Sequence, residues 1–147
     1  MDAMRFEVTP TRISGELPMT PVVMYVEDDR DYILILDSML RRRGYKAVGA
    51  VSVTQAIDSL SRVKAELIIL DVNLPDGTGI ELLHYLRSQP ATRFTPVIMF
   101  SSATEAEIIR QSIEAGASSY LYKEQLPQLL TEVQLLLNMK AVASIDA

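Results

Sequence analysis

At 147 residues and a formal net charge of −5, the chain is sized for one domain with a sizeable core, and its charge argues against non-specific nucleic-acid or anionic-membrane binding as the main activity. It has no cysteine, which excludes disulfides, thiolate catalysis and Cys-based metal sites, and a single histidine, His84, which argues against a His-rich zinc site or a Ser-His-Asp triad. No apolar run is long enough to span a bilayer and the N-terminus lacks a secretory h-region, so the default expectation is a cytoplasmic protein.

Residues 1–20 carry Pro10, Gly15 and Pro18 among scattered polar residues and read as a flexible extension, with at most a short strand near Phe6–Val8. The folded domain is expected over 21–140, followed by a tail over 141–147. Val22–Val26 is the first apolar run, and it ends on Glu27-Asp28-Asp29. From Asp29 a helical period begins (Ile33, Leu36, Leu40), with Asp29 or Asp31 as cap. Arg41-Arg42-Arg43 and Gly44 close it, cations complementing the helix dipole and a glycine beyond. Tyr45–Ala50 is a weaker strand. Val53–Val63 is a short helix with Ala56, Ile57 and Leu60 inward.

Leu67–Leu70 is an unbroken apolar run that stops on Asp71, as expected of a strand buried on both faces. A turn follows (Pro75, Asp76, Gly77, Gly79), then a helix with Ile80, Leu82, Leu83 and Leu86, ended near Gln89-Pro90. His84 lies in this helix and is read as structural or solvated. Val97–Phe100 is the next buried strand and ends on Ser101. Thr104 is the expected cap of a helix lined by Ile108, Ile109 and Ile113 and stopped at Gly116. Ser119–Tyr122 is the fifth strand, ending on Lys123. The last helix is expected from Leu126 to Met139, with Leu126, Leu129, Leu130, Val133, Leu136 and Leu137 on one broad face. Five strands alternating with five helices predict an α/β fold, a parallel sheet flanked on both faces.

In such a sheet all the carboxyl ends of the strands share one rim. Glu27 and Asp28, Asp71, Ser101 and Lys123 therefore converge from four different strands. Carboxylates brought to 4 Å repel by about 4 kcal/mol per pair at an effective dielectric of ~20, so a cation is expected there. Lys123 supplies part of it. Few carboxylates with open positions suit Mg2+ (or Mn2+), which keeps waters and bridges to phosphate. An aspartate beside a hard metal, a lysine and a hydroxyl fits phosphoryl transfer onto a carboxylate, in which positioning and electrostatics do most of the work.

These residues, distributed as Val-Glu-Asp-Asp after the first strand, Asp71-Val-Asn-Leu-Pro-Asp-Gly-Thr-Gly after the third, Ser101-Ser-Ala after the fourth and Gly116-Ala-Ser-Ser-Tyr-Leu-Tyr-Lys123 at the fifth, closely resemble the receiver domain of two-component response regulators. The resemblance spans about Pro21 to Met139. It implies a flavodoxin-like doubly wound fold with strand order 2-1-3-4-5. It implies Asp71 as phosphoacceptor, Asp28 as direct ligand of Mg2+, Glu27 as a helper acting through water, and Asn73 as donor of a backbone carbonyl to the metal. Ser101 and Tyr120 take the switch positions, and Lys123 pairs with the phosphoryl group. The implied partners are a histidine kinase or phosphotransfer protein, and a downstream protein or second copy docking on the fourth helix, fifth strand and fifth helix. Leu135, off the main stripe of the last helix, supports a contact there. No direct nucleic-acid or membrane partner is expected.

Two positions depart from the family. Glu124 stands where a proline, often cis, usually follows the lysine; a cis non-proline bond would cost ~2.5–4 kcal/mol, so a trans loop of different shape is the alternative. Ala103, two past Ser101, carries no functional group. A phosphatase using an aspartate nucleophile would want an acid where Asn73 stands, so a turnover enzyme is disfavoured. A flavodoxin-like cofactor site would want a phosphate cradle where Glu27-Asp28-Asp29 stand. Two alternatives stay open: a receiver fragment of a larger regulator or hybrid kinase, and a phosphorylation-independent adaptor.

Overall fold

A computed structural model describes residues 20–146, so the expected N-terminal extension, with its strand near Phe6–Val8, lies almost wholly outside the described residues. Five strands, β1 (Val22–Val26), β2 (Lys46–Ala50), β3 (Leu67–Leu70), β4 (Val97–Ser101) and β5 (Ser119–Tyr122), form one sheet. They alternate with α1 (Arg30–Arg42), α2 (Val53–Leu60), α3 (Gly79–Ser88), α4 (Ala106–Glu114) and α5 (Leu126–Asp146). All the pairings in the sheet are parallel, and numbered among themselves its strands run 2-1-3-4-5, as expected. A two-residue ladder pairs Asn73–Leu74 with Gly77–Thr78 beyond the end of β3.

The period of a strand explains why the apolar runs are unbroken. Ile68 and Leu70 of β3 point to one layer with Met24, Val26, Val97 and Met99, against Ala56 of α2 and Leu82, Leu83 and Leu86 of α3. Leu67 and Ile69 point the other way with Val23, Tyr25, Ile98 and Phe100, against Leu36 and Leu40 of α1 and Leu129 and Val133 of α5. Each Val, Leu, Ile, Met or Phe side chain among them, taken wholly out of water, contributes about 1.5–3 kcal/mol. β3 at the centre is thus pinned from both sides, and so is the residue that follows it.

The helix starts obey local chemistry. Asp29 caps α1, its carboxylate accepting from the Asp31 and Tyr32 amides at 2.9 and 3.2 Å. Gly44, at φ +86°, turns the chain out of α1 in a conformation that favours glycine. Thr78 and Glu81 form a reciprocal capping box at α3.

Four details differ from the sequence expectation. α2 ends at Leu60, short of Val63, and α5 runs on past Met139 to Asp146. The N-cap of α4 is Glu105, with no side-chain bond to the helix, not Thr104. Ile113 is 51% exposed, whereas Ser112 is fully buried and its hydroxyl donates to the Ile108 carbonyl at 2.8 Å. A serine that returns its own hydroxyl to the preceding turn can face inward without an unsatisfied polar group, which frees the isoleucine beside it to face out.

Candidate functional site

The carboxyl ends of β1, β3, β4 and β5 deliver Glu27, Asp71, Ser101 and Lys123, all of them buried. Glu27, Asp28, Asp71, Asn73, Ser101 and Lys123 line one open cleft of about 340 Å³, together with Asp29, Leu74, Pro75 and Ser102. The Lys123 ammonium lies 2.9 Å from Glu27 Oε1 and 3.1 Å from Asp71 Oδ2. Asp71 Oδ1 accepts from the Val72 amide at 2.7 Å, and Glu27 Oε2 from the Asp29 amide at 3.1 Å. The carboxylates of Glu27, Asp28 and Asp71 offer one oxygen each within 4.8 Å of one another, with Asp28 the exposed member. Such a donor set of hard oxygens, open on one side, fits a divalent cation of the Mg2+ kind.

The charges do not balance within the protein. Two carboxylates face one ammonium, and a third stands beside them. Burial pushes the Glu27 carboxyl above its ordinary range; the Lys123 bond and the Asp29 amide pull it down, and the Asp71 charge pushes it up again. Burial pulls Lys123 down, but Glu27 and Asp71 outweigh it and its net direction is upward. The cluster as a whole favours an added positive charge, which a bound cation would supply.

The loop that carries Asn73 is anchored where it enters α3 and at its tip. Gly79 opens α3 directly beneath Asp71, and a Cβ there would stand 2.0 Å from the Asp71 carbonyl oxygen, so only glycine fits. At the loop's tip Asp76 accepts from the Val53 and Thr54 amides at 2.8 and 3.0 Å and from the Thr54 hydroxyl at 2.7 Å. Two backbone donors of the first turn of α2 are thereby satisfied from the loop beyond β3. Asp76 reads from the sequence only as a turn residue; its partners lie far back along the chain.

Of the expected switch pair, Ser101 lines the cleft and Tyr120 stands behind it. Ser101 is fully buried, and its hydroxyl oxygen accepts from the Ala103 amide at 3.2 Å. Tyr120 is not among the residues that line the cleft. Its hydroxyl donates to the Ala103 carbonyl at 2.7 Å, so both side chains hold the same residue of the loop after β4. Burial pushes the Tyr120 phenol above its ordinary value. The peptide between Lys123 and Glu124 is trans, and one 3-10 turn, Lys123–Gln125, leads into α5. The Gln125 side chain accepts from the Tyr122 amide at 2.9 Å and closes that turn. His84 is exposed on α3, away from the cleft lining. Tyr32, missed in the sequence, sits with its ring against the Lys123 ammonium, 4.4 Å from its centroid. Its place in the first turn of α1, just after Glu27 and Asp28, was the available signal.

Residues 23–134 match the family model of the response regulator receiver domain. The phosphate regulon transcriptional regulatory protein PhoB of Escherichia coli (strain K12) is 31% identical over 108 residues, which make up 74% of this chain and 47% of that protein. Protein RcaC of Microchaete diplosiphon is 33% identical over 101 residues, 69% of this chain and 16% of that protein. The chain thus spans less than half the length of these two relatives. Among solved structures, the chemotaxis protein CheY4 of Vibrio cholerae superposes with a TM-score of 0.75 at 28% identity, covering 80% of this chain and 99% of that one. The signal receiver domain of a signal transduction histidine kinase from Syntrophus aciditrophicus gives a TM-score of 0.75 at 28% identity, covering 81% and 91%. With the family model covering most of the described residues and the acidic cleft at the expected rim, the chain belongs to the response regulator receiver family.

Proposed function

We propose that this receiver is switched by phosphorylation of Asp71, with Mg2+ (or Mn2+) held by Asp28, Asp71, the Asn73 backbone carbonyl and, through water, Glu27. The observation that carries the reading is the buried Asp71 carboxylate 3.1 Å from the Lys123 ammonium, beside two further carboxylates that leave the cleft short of positive charge. A carboxylate oxygen of Asp71 attacks phosphorus, the new O–P bond forms, and the N–P bond of a phosphohistidine on the donor breaks. The imidazole leaves with the electron pair and takes up a proton from solvent. When bound, the metal neutralises charge on the transferring oxygens. Lys123 does the same from the protein side, and the Ser101 hydroxyl turns to donate to the acquired phosphoryl group.

The donor is a histidine kinase or a phosphotransfer protein. Ser101 and Tyr120 both hold Ala103, so a Ser101 hydroxyl that turns to the phosphoryl group gives up the Ala103 amide and loosens the loop ahead of α4. The altered surface is that of α4, β5 and α5, where Leu135 stands half-exposed, and it meets a downstream protein or a second copy. Receiver domains act as switches, and with Asn73 in place of a second acid this chain catalyses only its own phosphorylation and dephosphorylation. Among the described residues no helix is long and apolar enough to cross a membrane.

Incubation of the full chain with acetyl phosphate and Mg2+, followed by intact-mass measurement, should add one phosphoryl group. Asp71→Asn should abolish the gain, and chelation of the metal should prevent it. A gain that survives Asp71→Asn would overturn the assignment. Binding of an output partner that ignores Asp71→Asn would favour a phosphorylation-independent adaptor.

A further inference from the structure

We propose that Tyr32 is a positioning residue for Lys123, its ring face completing the shell that keeps the ammonium aimed at Asp71. The inference rests on the reading of Asp71 as phosphoacceptor, but its geometry stands apart from it. A lysine ammonium has three N–H donors and no acceptor. Two directions are taken by Glu27 Oε1 at 2.9 Å and Asp71 Oδ2 at 3.1 Å. The ring of Tyr32 lies 4.4 Å from Nζ, centroid to atom, within the range of cation–π attraction. Lys123 is only 8% exposed, so water has little room to replace the ring.

The ring is itself held. Phe100, fully buried in β4, meets it edge-on at 5.9 Å and 78°. The Tyr32 amide is fixed to the Asp29 cap at 3.2 Å, so the first turn of α1 carries the ring as a rigid mount. The elements bearing Asp28 and Tyr32 on one side and Lys123 on the other are thus joined through the cation. Without the ring, a flexible four-carbon side chain would have only two carboxylates to orient it, both of which the metal and the phosphoryl group also claim on the proposed reading. Tyr32 does not line the cleft; it acts through Lys123.

The test compares Tyr32→Leu, which fills space without a ring face, with Tyr32→Phe, which keeps the face. Initial rates of phosphorylation of the full chain by acetyl phosphate at saturating Mg2+ should fall roughly five- to thirtyfold in Tyr32→Leu and stay within about twofold in Tyr32→Phe. In a Lys123→Met background the Leu change should add nothing. A second readout needs no phosphorylation: the ε-methylene protons of Lys123 should be shifted upfield by the ring in the wild type and in Tyr32→Phe, and lose that shift in Tyr32→Leu. A Leu variant as fast as wild type, a Phe variant as slow as the Leu variant, or a Leu effect that persists without Lys123 would overturn the proposal. A wild type that takes no phosphoryl group would instead strike at Asp71 as acceptor, and the proton shifts would still decide whether Tyr32 positions Lys123.

Discussion

The two ends of the sheet each hold a partly or fully buried cation, and they hold it differently. At the carboxyl rim Lys123 faces two carboxylates, with a third beside them. At the opposite pole Arg87, at the end of α3, faces neutral carbonyls. Its Nη1 donates to Thr92 at 3.0 Å and to Thr95 at 2.8 Å, and Nη2 and Nε donate to Gly116 at 2.8 and 3.2 Å. These carbonyls lie just ahead of β4 and β5, so one guanidinium staples the returns of two crossovers. Backbone carbonyls have no other business, and the arginine is a permanent part of the fold. On the proposed reading the carboxylates around Lys123 also take a metal and a phosphoryl group, which makes the cation there a member of an exchangeable set. A buried cation is structural or functional according to whether its partners can be claimed by something else.

The largest expected effect tests the permanent end. Arg87→Ala should lower stability by about 2–4 kcal/mol, because it deletes several charge-assisted bonds and leaves carbonyls to find water. Arg87→Lys should recover little, since an ammonium cannot reproduce the fork. Both variants, once folded, should still take a phosphoryl group at Asp71. Denaturant unfolding and intact mass measure the two properties separately. A phosphorylation defect in folded Arg87→Lys would break the division between the poles.

Next comes the exchangeable end. Mg2+ at one hundred times its dissociation constant should raise wild-type stability by about 2.7 kcal/mol. Asp28→Asn should remove most of that gain, whereas Arg87→Lys should leave it intact. Without metal, Glu27 should also make the rim sensitive to pH. Its folded pKa is raised, chiefly by burial, so the folded state holds the proton more tightly than the unfolded chain does. The resulting stability is fully present below the ordinary value of 4.5 and is lost as pH rises through the folded value. Unfolding in chelator across that window should show the decline, and Glu27→Gln should flatten it. An equal slope in both proteins would mean that the rim's charge imbalance lies elsewhere.

The same contrast explains what the sequence made legible. β1, β3 and β4 are apolar runs because both their faces are covered, and an acid or hydroxyl that ends such a run stands out. Glu27, Asp71 and Ser101 announced themselves in this way, and Lys123 ended β5. Arg87 did not, because its partners are main-chain carbonyls, which any sequence supplies. Asp76 did not either, because its acceptor role depends on donors more than twenty residues away at Val53 and Thr54. On α4 the helical period pointed to Ile113, and the inward place went to Ser112, whose polarity is satisfied within its own helix. Local pattern reports burial of apolar surface; it is silent about polar groups that are satisfied by the fold.

The smallest effect expected is at Tyr120, where the rim meets the outward surface. Its hydroxyl gives one neutral hydrogen bond to the Ala103 carbonyl at 2.7 Å, from a ring packed edge-on against Tyr122 at 5.9 Å. Tyr120→Phe keeps the ring and its packing and removes that bond, which should cost about 0.5–1.5 kcal/mol. Asp71 should still be phosphorylated, because Tyr120 does not line the cleft. What should change is the loop from Ser101 to Ala103, then held by the Ser101 hydroxyl alone. Amide exchange at Ala103 should quicken in Tyr120→Phe and quicken further in a Ser101→Ala, Tyr120→Phe double variant. If the loop is a shared tether, the double variant should exceed the sum of the two single changes. Simple addition would mean that Ser101 and Tyr120 hold Ala103 independently, and the coupling between the phosphoryl site and α4 would have to run through another part of the loop.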